Sequence, residues 1–492
     1  SGSGDSSHAR VLGHAKSGIV NIGVAQAPTN INPLDSGSEV TRWIAEPVVE
    51  TLYAYDDNLN SVPLLAVGEP TISADKLTWT FRLKPGVTWH NGDPLTADDL
   101  AATFEHISAL ANGSEWIVFT LGYVERWKVV DSLTFEVVLS RPYGLLRTVM
   151  TNLPVSHRGY TDRKDAMMGT GPFKLDGYNP GQSFTMSAYP GYHGAKPALK
   201  GIVYTVFGDD ATRLVAIQQG TVDMITNVPY GNLKKAQSNQ NLVVSAKRAP
   251  LDIMWYTNCK KAPFSDVNFR TALAYAIDRQ GIADRVFGGA AMIGQGPVGP
   301  GELGYNPALS RFKPGPDFAT ARQYLAKAAT AQRSFTLSIP VQQTEQDLAT
   351  ILAAGWSQIG VTAQIQPLSG ELFSQAITGV TYDLLMSTYQ SGFTCGNANY
   401  TILSAADPTN VVSCGFEDKQ TQQLTATAWQ TSDDAARARA LADINAITLA
   451  DSVMFPPVYP KTVVATRREL TPVDTSLLAV SRISPQRLAF RR

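Results

Sequence analysis

From Leu77 the chain reads LTWTFRLKPGVTWHNGDPLTADDL. Trp79, Phe81 and Leu83 alternate with Thr80, Arg82 and Lys84, a period of two that predicts a half-buried strand. Pro85-Gly86 predicts a turn, Val87 and Trp89 a second short strand, and Asn91-Gly92 another turn. Thr96 then stands where a helix N-cap belongs, with Asp99 three residues on. Leu100, Phe104 and Ile107 follow at helical spacing. The acids of this stretch therefore read as helix punctuation: Asp98 and Asp99 suit the positive end of the helix dipole.

The same grammar recurs. Asp209-Asp210 open a helix with Leu214 and Ile217 on its apolar face and Gly220 at its end. Asp266 caps one carrying Phe269, Leu273 and Ile277. Thr344 and Asp347 open a third, with Leu348, Ile351, Leu352, Trp356 and Ile359, ended by Gly360 before the alternating VTAQIQ. Ser432 opens an Ala-rich helix through Leu441, Ile444 and Ile447. Such mixtures predict α/β lobes, and no repeat of the length that marks solenoids or propellers is visible.

Length turns this into a multi-unit chain: 492 residues, at roughly 150 per domain, make about three units or two large lobes. Forty-one basic residues nearly balance forty-two acidic ones, which gives no support to nucleic acid as a partner. No apolar run reaches the ~20 residues that span a bilayer. The opening SGSGDSSHAR is polar and Gly/Ser-rich, the composition of a flexible leader over 1–17. A mature exported protein and a cytosolic one with a leader would both look like this. Cys395 and Cys414 lie in one polar stretch, each followed by glycine. Two readings stand for them: unpaired thiols, or a disulfide that would contribute roughly 3 kcal/mol and imply an oxidising compartment. Cys259 is left over as a small hydrophobe.

Enzyme motifs are missing. His90 has no second histidine at helical or hairpin spacing, so no metal site is expected, and nothing calls for a cofactor. GQGPVGPG from Gly294 contains a G-x-G-x-x-G string, but Pro297 and Pro300 forbid the helix a nucleotide would need. Aromatics beside small polar residues, in GSEWIVF, DIMWYTN and STYQSGF, fit either ordinary core or the walls of a ligand cleft.

Four blocks in order carry a resemblance over nearly the whole chain. WTFRLKPGVTWHNGDPLTADDL, GTGPFKL (Gly169–Leu175), LVAIQQGTVDM (Leu214–Met224) and TNCKKAPFSDVNFRTALAYAIDR (Thr257–Arg279) together resemble the extracellular solute-binding proteins of ABC importers, in the class of dipeptide, oligopeptide and nickel binders. The resemblance implies a two-lobed periplasmic-binding-protein-like α/β fold (class II, cluster C) with a two-strand hinge and an extra subdomain in lobe I. Lobe I would take 18–48, 168–253 and 454–492, the inserted subdomain 49–167, and lobe II 254–453. It also implies a monomer outside the cytoplasmic membrane, periplasmic or lipid-anchored, that captures a solute between closing lobes and delivers it to a membrane permease without chemistry. By position, the ligand wall would include Thr29, Trp116, Trp255, Tyr256, Tyr389, Gln390, Phe393 and Asn397.

One departure bears on the ligand. Peptide binders of this family carry an aspartate shortly after an aromatic, where it pairs with the peptide's α-ammonium; here the stretch Tyr389–Tyr400, YQSGFTCGNANY, holds no acid. A buried ammonium without a carboxylate is costly. Either the amine is met elsewhere, for instance by Asp383 or by carbonyls, or the ligand is a non-peptide solute such as a sugar, an opine-like molecule or a blocked peptide. A metal chelate fits poorly. A secreted hydrolase is the rival from another class, and it would need a nucleophile with a base that no local motif supplies.

Overall fold

β1 (Ile19–Val24) buries Val20, Ile22 and Val24 completely, alternate positions that share the core-facing side of the strand. The computed structural model describes residues 2–28, 30–35, 39–110, 122–248, 251–390, 415–471 and 484–491. These form two units: Ser1–Lys247 with Val463–Arg492, and Arg248–Thr462. The chain passes from one to the other at 247/248 and at 462/463. The boundaries implied by resemblance, 253/254 and 453/454, both fall inside the second unit.

The first unit is built on the strand order β12 (Leu242–Arg248), β18 (Val458–Arg467), β11 (Met224–Ile225), β1, β10 (Gly201–Val206), β9 (Ser183–Ala188), β8 (Phe173–Asn179). β1 runs parallel to both β10 and β11. Its core gathers Val20, Ile22, Trp43, Phe173, Phe184, Ile202, Tyr204 and Val464. Residues 49–167 add two smaller sheets: β2 (Tyr53–Tyr55) with β3 (Ser61–Pro63), and β4 (Thr71–Ile72), β5 (Thr78–Arg82), β7 (Thr134–Leu139) and β6 (Val124–Asp131) in that order.

The predicted strand over Trp79–Lys84 is β5, but the second short strand at Val87–Trp89 reduces to a single bridge, Thr88 to Pro94. The predicted helix runs Ala97–Ser108 after Thr96. Only half of its capping box forms. Asp99 Oδ2 accepts from Thr96 N at 3.0 Å, whereas Thr96 Oγ1 is buried without a hydrogen bond. Asp99 does more than cap. Fully buried, it also accepts from Trp89 Nε1 at 3.0 Å, Arg158 N at 2.9 Å and Arg158 Nη1 at 3.1 Å.

The other recurring blocks are structural too. His90 N donates to Gly169 O, and Gly171 N to Val48 O. A Cβ on Gly169 would stand 1.7 Å from Val48 O, so only glycine lets these segments meet. Asp223, from GTVDM, is buried and accepts from Asn21 N at 2.7 Å, holding β1 in place. The opening stretch is not the flexible tether its composition predicts. Gly2–Ser17 forms a helix that buries Val11 and Ser7, with His14 Nδ1 2.8 Å from Asp223 Oδ1 and His8 Nδ1 2.8 Å from Glu469 Oε1. Two imidazole contacts and one buried valine outweigh its Gly/Ser content.

In the second unit, β13 (Leu251–Thr257), β17 (Leu384–Gln390), β15 (Ser334–Pro340) and β16 (Thr362–Leu368) form a sheet in that order, and β14 (Ala291–Ile293) pairs with Val458–Pro460 of β18. Asp266 caps Val267–Tyr275 as predicted. Arg270 of the same block is buried and donates to the carbonyls of Phe264, Asp451 and Ser452. The glycine string at Gly294 lies against β18's lead-in, where a Cβ on Gly294 would stand 2.0 Å from Pro456 O. The Ala-rich helix is Asp434–Ala450, capped by Asp433 rather than Ser432.

Asp99→Ala should lower unfolding stability by about 3–5 kcal/mol, because it strands a buried indole N–H, two amides and a guanidinium. Thr96→Ala should cost under about 0.5 kcal/mol, less than the usual ~1 kcal/mol of an N-cap, since its hydroxyl makes no bond. Urea denaturation followed by tryptophan fluorescence measures both, and equal losses would contradict this assignment.

Candidate functional site

Strand order fixes where each unit can bind something. From β15 the chain returns through the helix Gln343–Ser357 to β16 on one side. It then passes through the helix Gly370–Gly379 to β17 on the other side of β15. The winding direction therefore reverses between β15 and β17. In open α/β sheets ligands sit at such reversals, outside the carboxyl ends of the strands.

Hydrogen bonding shows an opening there. β15 stays paired with β16 to Pro340↔Leu368, and β13 stays paired with β17 to Leu251↔Gln390. β15 and β17 pair only at Leu337↔Leu384 and Ser338↔Leu385. Beyond that point they part, and Glu345, in the first turn of the helix after β15, fills the gap. Its Oε1 accepts from Thr388 N at 3.0 Å and Thr388 Oγ1 at 2.5 Å. Glu345 is fully buried, and its Oε2 has no hydrogen-bond partner.

Two further acids lie at the same end of the sheet, on β13's side. Arg248 Nη2 is 3.0 Å from Asp252 Oδ1 and 3.6 Å from Glu302 Oε1, and all three side chains are nearly inaccessible. Arg248 also donates through Nη1 to Leu251 O at 2.6 Å and Pro460 O at 2.9 Å, and through Nε to Pro300 O at 3.2 Å. One guanidinium thus faces two carboxylates. Burial, and then the neighbouring Asp252 charge, push the Glu302 carboxyl well above its usual range. Among the described residues no group of three or more His, Cys, Asp or Glu is placed to hold a metal ion.

The first unit has its own reversal, at β1, which lies between the parallel β10 and β11. Buried Arg213 ties the carboxyl ends of those neighbours together, donating to Phe207 O at 2.8 Å and Asn227 O at 2.7 Å. The segment after β1 leads to Thr29, which is outside the described residues.

Four of the residues predicted as ligand wall, Trp255, Tyr256, Tyr389 and Gln390, lie among the described residues. Tyr389 and Gln390 end β17, and so stand at the β15/β17 reversal by backbone position. Trp255 pairs with Met386, four residues back from Gln390, or roughly 13 Å at ~3.3 Å per residue. Its ring is fully buried against Trp356 (6.3 Å) and Phe455 (5.1 Å), in the core. Tyr256 points to the opposite face and packs with Tyr382 and Leu385. Trp116, Phe393, Asn397, Cys395 and Cys414 lie outside the described residues. Asp383, the suggested amine partner, is already engaged: it accepts from Thr336 N at 2.9 Å, and its Oδ1 is 2.8 Å from Lys261 Nζ. It also sits before the amino end of β17, the wrong end. Glu345 was not among the predicted site residues. In sequence it is one more acid at a helix start, indistinguishable from a cap.

A groove of about 420 Å³ opens in the first unit between Glu46, Glu50, Tyr55, Tyr192 and Arg487. Its acids serve the fold. Glu50 accepts from Thr170, Tyr192 and His193 at 2.7–2.8 Å, and Glu46 from Ser484 Oγ at 2.7 Å.

Because the folded value of Glu302 is raised, its proton stabilises the fold below about pH 4.3, the ordinary glutamate value, and that contribution is lost as pH rises through the folded value. Glu302→Gln should remove this loss. The thermal midpoint of the variant should gain on that of the wild type as pH is raised from 5 to 9. A difference that stays constant across that range would show that Glu302 does not titrate there.

The sequence pattern of the bacterial extracellular solute-binding proteins, family 5 (middle region), matches residues 60–410. A probable peptide ABC transporter periplasmic-binding protein of Sinorhizobium fredii is 28% identical over 371 residues, covering 68% of each chain. Among solved structures, the periplasmic binding protein AgaA of A. tumefaciens in complex with agropinic acid superposes with a TM-score of 0.80 at 22% identity, over 96% of this chain and 99% of its own. The periplasmic binding protein DppA of Helicobacter pylori in complex with the peptide STSA does so with a TM-score of 0.80 at 19% identity, over 96% and 98%. Two α/β units, strand-order reversals in both, and a family pattern spanning most of the chain lead to one statement: this chain belongs to the bacterial extracellular solute-binding proteins of family 5, with their two-lobed periplasmic-binding fold.

Proposed function

We propose that this protein is the extracytoplasmic solute-binding component of an ABC importer. It captures a peptide or peptide-like solute and presents it to a membrane permease, without transforming it. Membership of family 5 supports the transport role, and the relative from S. fredii is named for peptide transport. The observation that carries the ligand class is the buried carboxylate at the β15/β17 reversal, where a ligand's positive end would be received. The working place is outside the cytoplasmic membrane, free or held by a lipid, and the working form is a monomer. No helix among the described residues is long and apolar enough to cross a membrane.

A second reading keeps the role and changes the cargo to a non-peptide solute. It rests on the missing acid in Tyr389–Tyr400 and on the likeness to AgaA, which was solved with agropinic acid bound.

Native mass spectrometry of the purified protein, followed by denaturing release, separates the two. A ladder of released masses spaced by amino-acid residues is the expected result. A single discrete non-peptide mass would replace the peptide reading with the second one, and release of a chemically altered product from a supplied peptide would overturn the non-enzymatic role.

A further inference from the structure

We propose that Glu345 is the carboxylate that receives the α-ammonium of the bound peptide, a role that rests on the peptide-binding reading above. The position is fully buried, and none of the described Lys, Arg or His side chains comes within 4.0 Å of it. A buried carboxylate without a cation and with an unmet oxygen is costly unless something supplies donors. Structure within the fold accounts for only one oxygen. Oε1 closes the gap where β17 leaves β15, taking the Thr388 amide and hydroxyl that the ladder can no longer use. Oε2 takes nothing.

A purely structural plug would not need a charge at this position. Glutamine carries the same Oε1 acceptor and would hold Thr388 N and Oγ1 equally well. The carboxylate adds a negative charge in the first turn of the helix Gln343–Ser357, where the helix dipole favours it. It also lies at the strand reversal where α/β sheets bind ligands.

The other described buried acids at this end, Asp252 and Glu302, both stand beside the Arg248 guanidinium, although Glu302 Oε1, 3.6 Å from it, makes no hydrogen bond. Asp383 holds Lys261 and the Thr336 amide beyond the opposite end of β17. Among these described acids Glu345 is therefore the one with an unmet oxygen and no Lys, Arg or His beside it. An ammonium brings three donors and the compensating charge, and the α-ammonium is the cation every unblocked peptide carries.

The test uses the full chain and two probes: a synthetic library of di- to pentapeptides, and the same library N-acetylated. Retention is read by native mass spectrometry and affinity by calorimetry on retained members. Wild type should retain free-amine peptides and discriminate against their acetylated forms. Glu345→Gln should keep its thermal midpoint but lose on the order of 100-fold or more in affinity for the free-amine peptides, along with the discrimination. Equal binding of free and acetylated peptides by wild type would overturn the inference without any variant. Undiminished binding by Glu345→Gln would overturn it while leaving the peptide reading intact. No peptide retained by wild type would overturn both.

Discussion

The parting of β15 from β17 is the constraint on which the second unit's chemistry depends. Two strands wound in opposite directions from a shared edge cannot stay paired once the helix after β15 must leave the sheet. The ladder ends at Ser338↔Leu385, and Thr388 is left with an amide that must still be met. A side chain from the departing helix meets it, and because that side chain is a glutamate, one bond serves the fold while a charge is left over. The same logic operates in the first unit with the sign reversed. There the strands β10 and β11 end beside the reversal at β1, and the free groups are carbonyls, which Arg213 collects.

Buried polar side chains do most of the remaining connecting. Asp99 gathers an indole, two amides and a guanidinium. Asp223 joins the Asn21 amide to His14, and Arg270 collects three carbonyls. Each lies within one of the blocks that mark the family in sequence. The blocks are thus records of how segments distant in the chain are fastened together, and they say little about the solute.

That explains what was legible. The strand at Trp79, the helices after Thr96, Asp209 and Asp266, and the α/β character follow from local periodicity and capping, which neighbouring residues decide among themselves. Thr96 shows the limit. Its sequence context is that of a full capping box, yet Asp99 is drawn into a tertiary network and the hydroxyl stays unmatched. Trp255 enters the ligand wall only by its position in the family resemblance, whereas the face of β13 it occupies is set by Trp356 and Phe455, far along the chain. The opening stretch folded against its composition because its partners, Asp223 and Glu469, are likewise distant. Glu345 was hidden by an ambiguity of the code itself: an acid in a helix's first turn is the commonest of punctuation marks, and only the split ladder beside it reveals a second use.

The central claim is that the charge at this split is there for the ligand. A crystal structure of the protein carrying the solute with which it purifies tests that most directly. The account predicts a ligand nitrogen at about 2.8 Å from Glu345 Oε2, the distance of a charge-assisted hydrogen bond. A ligand whose polar atoms leave Oε2 untouched, or an ordered water there in its place, would contradict it.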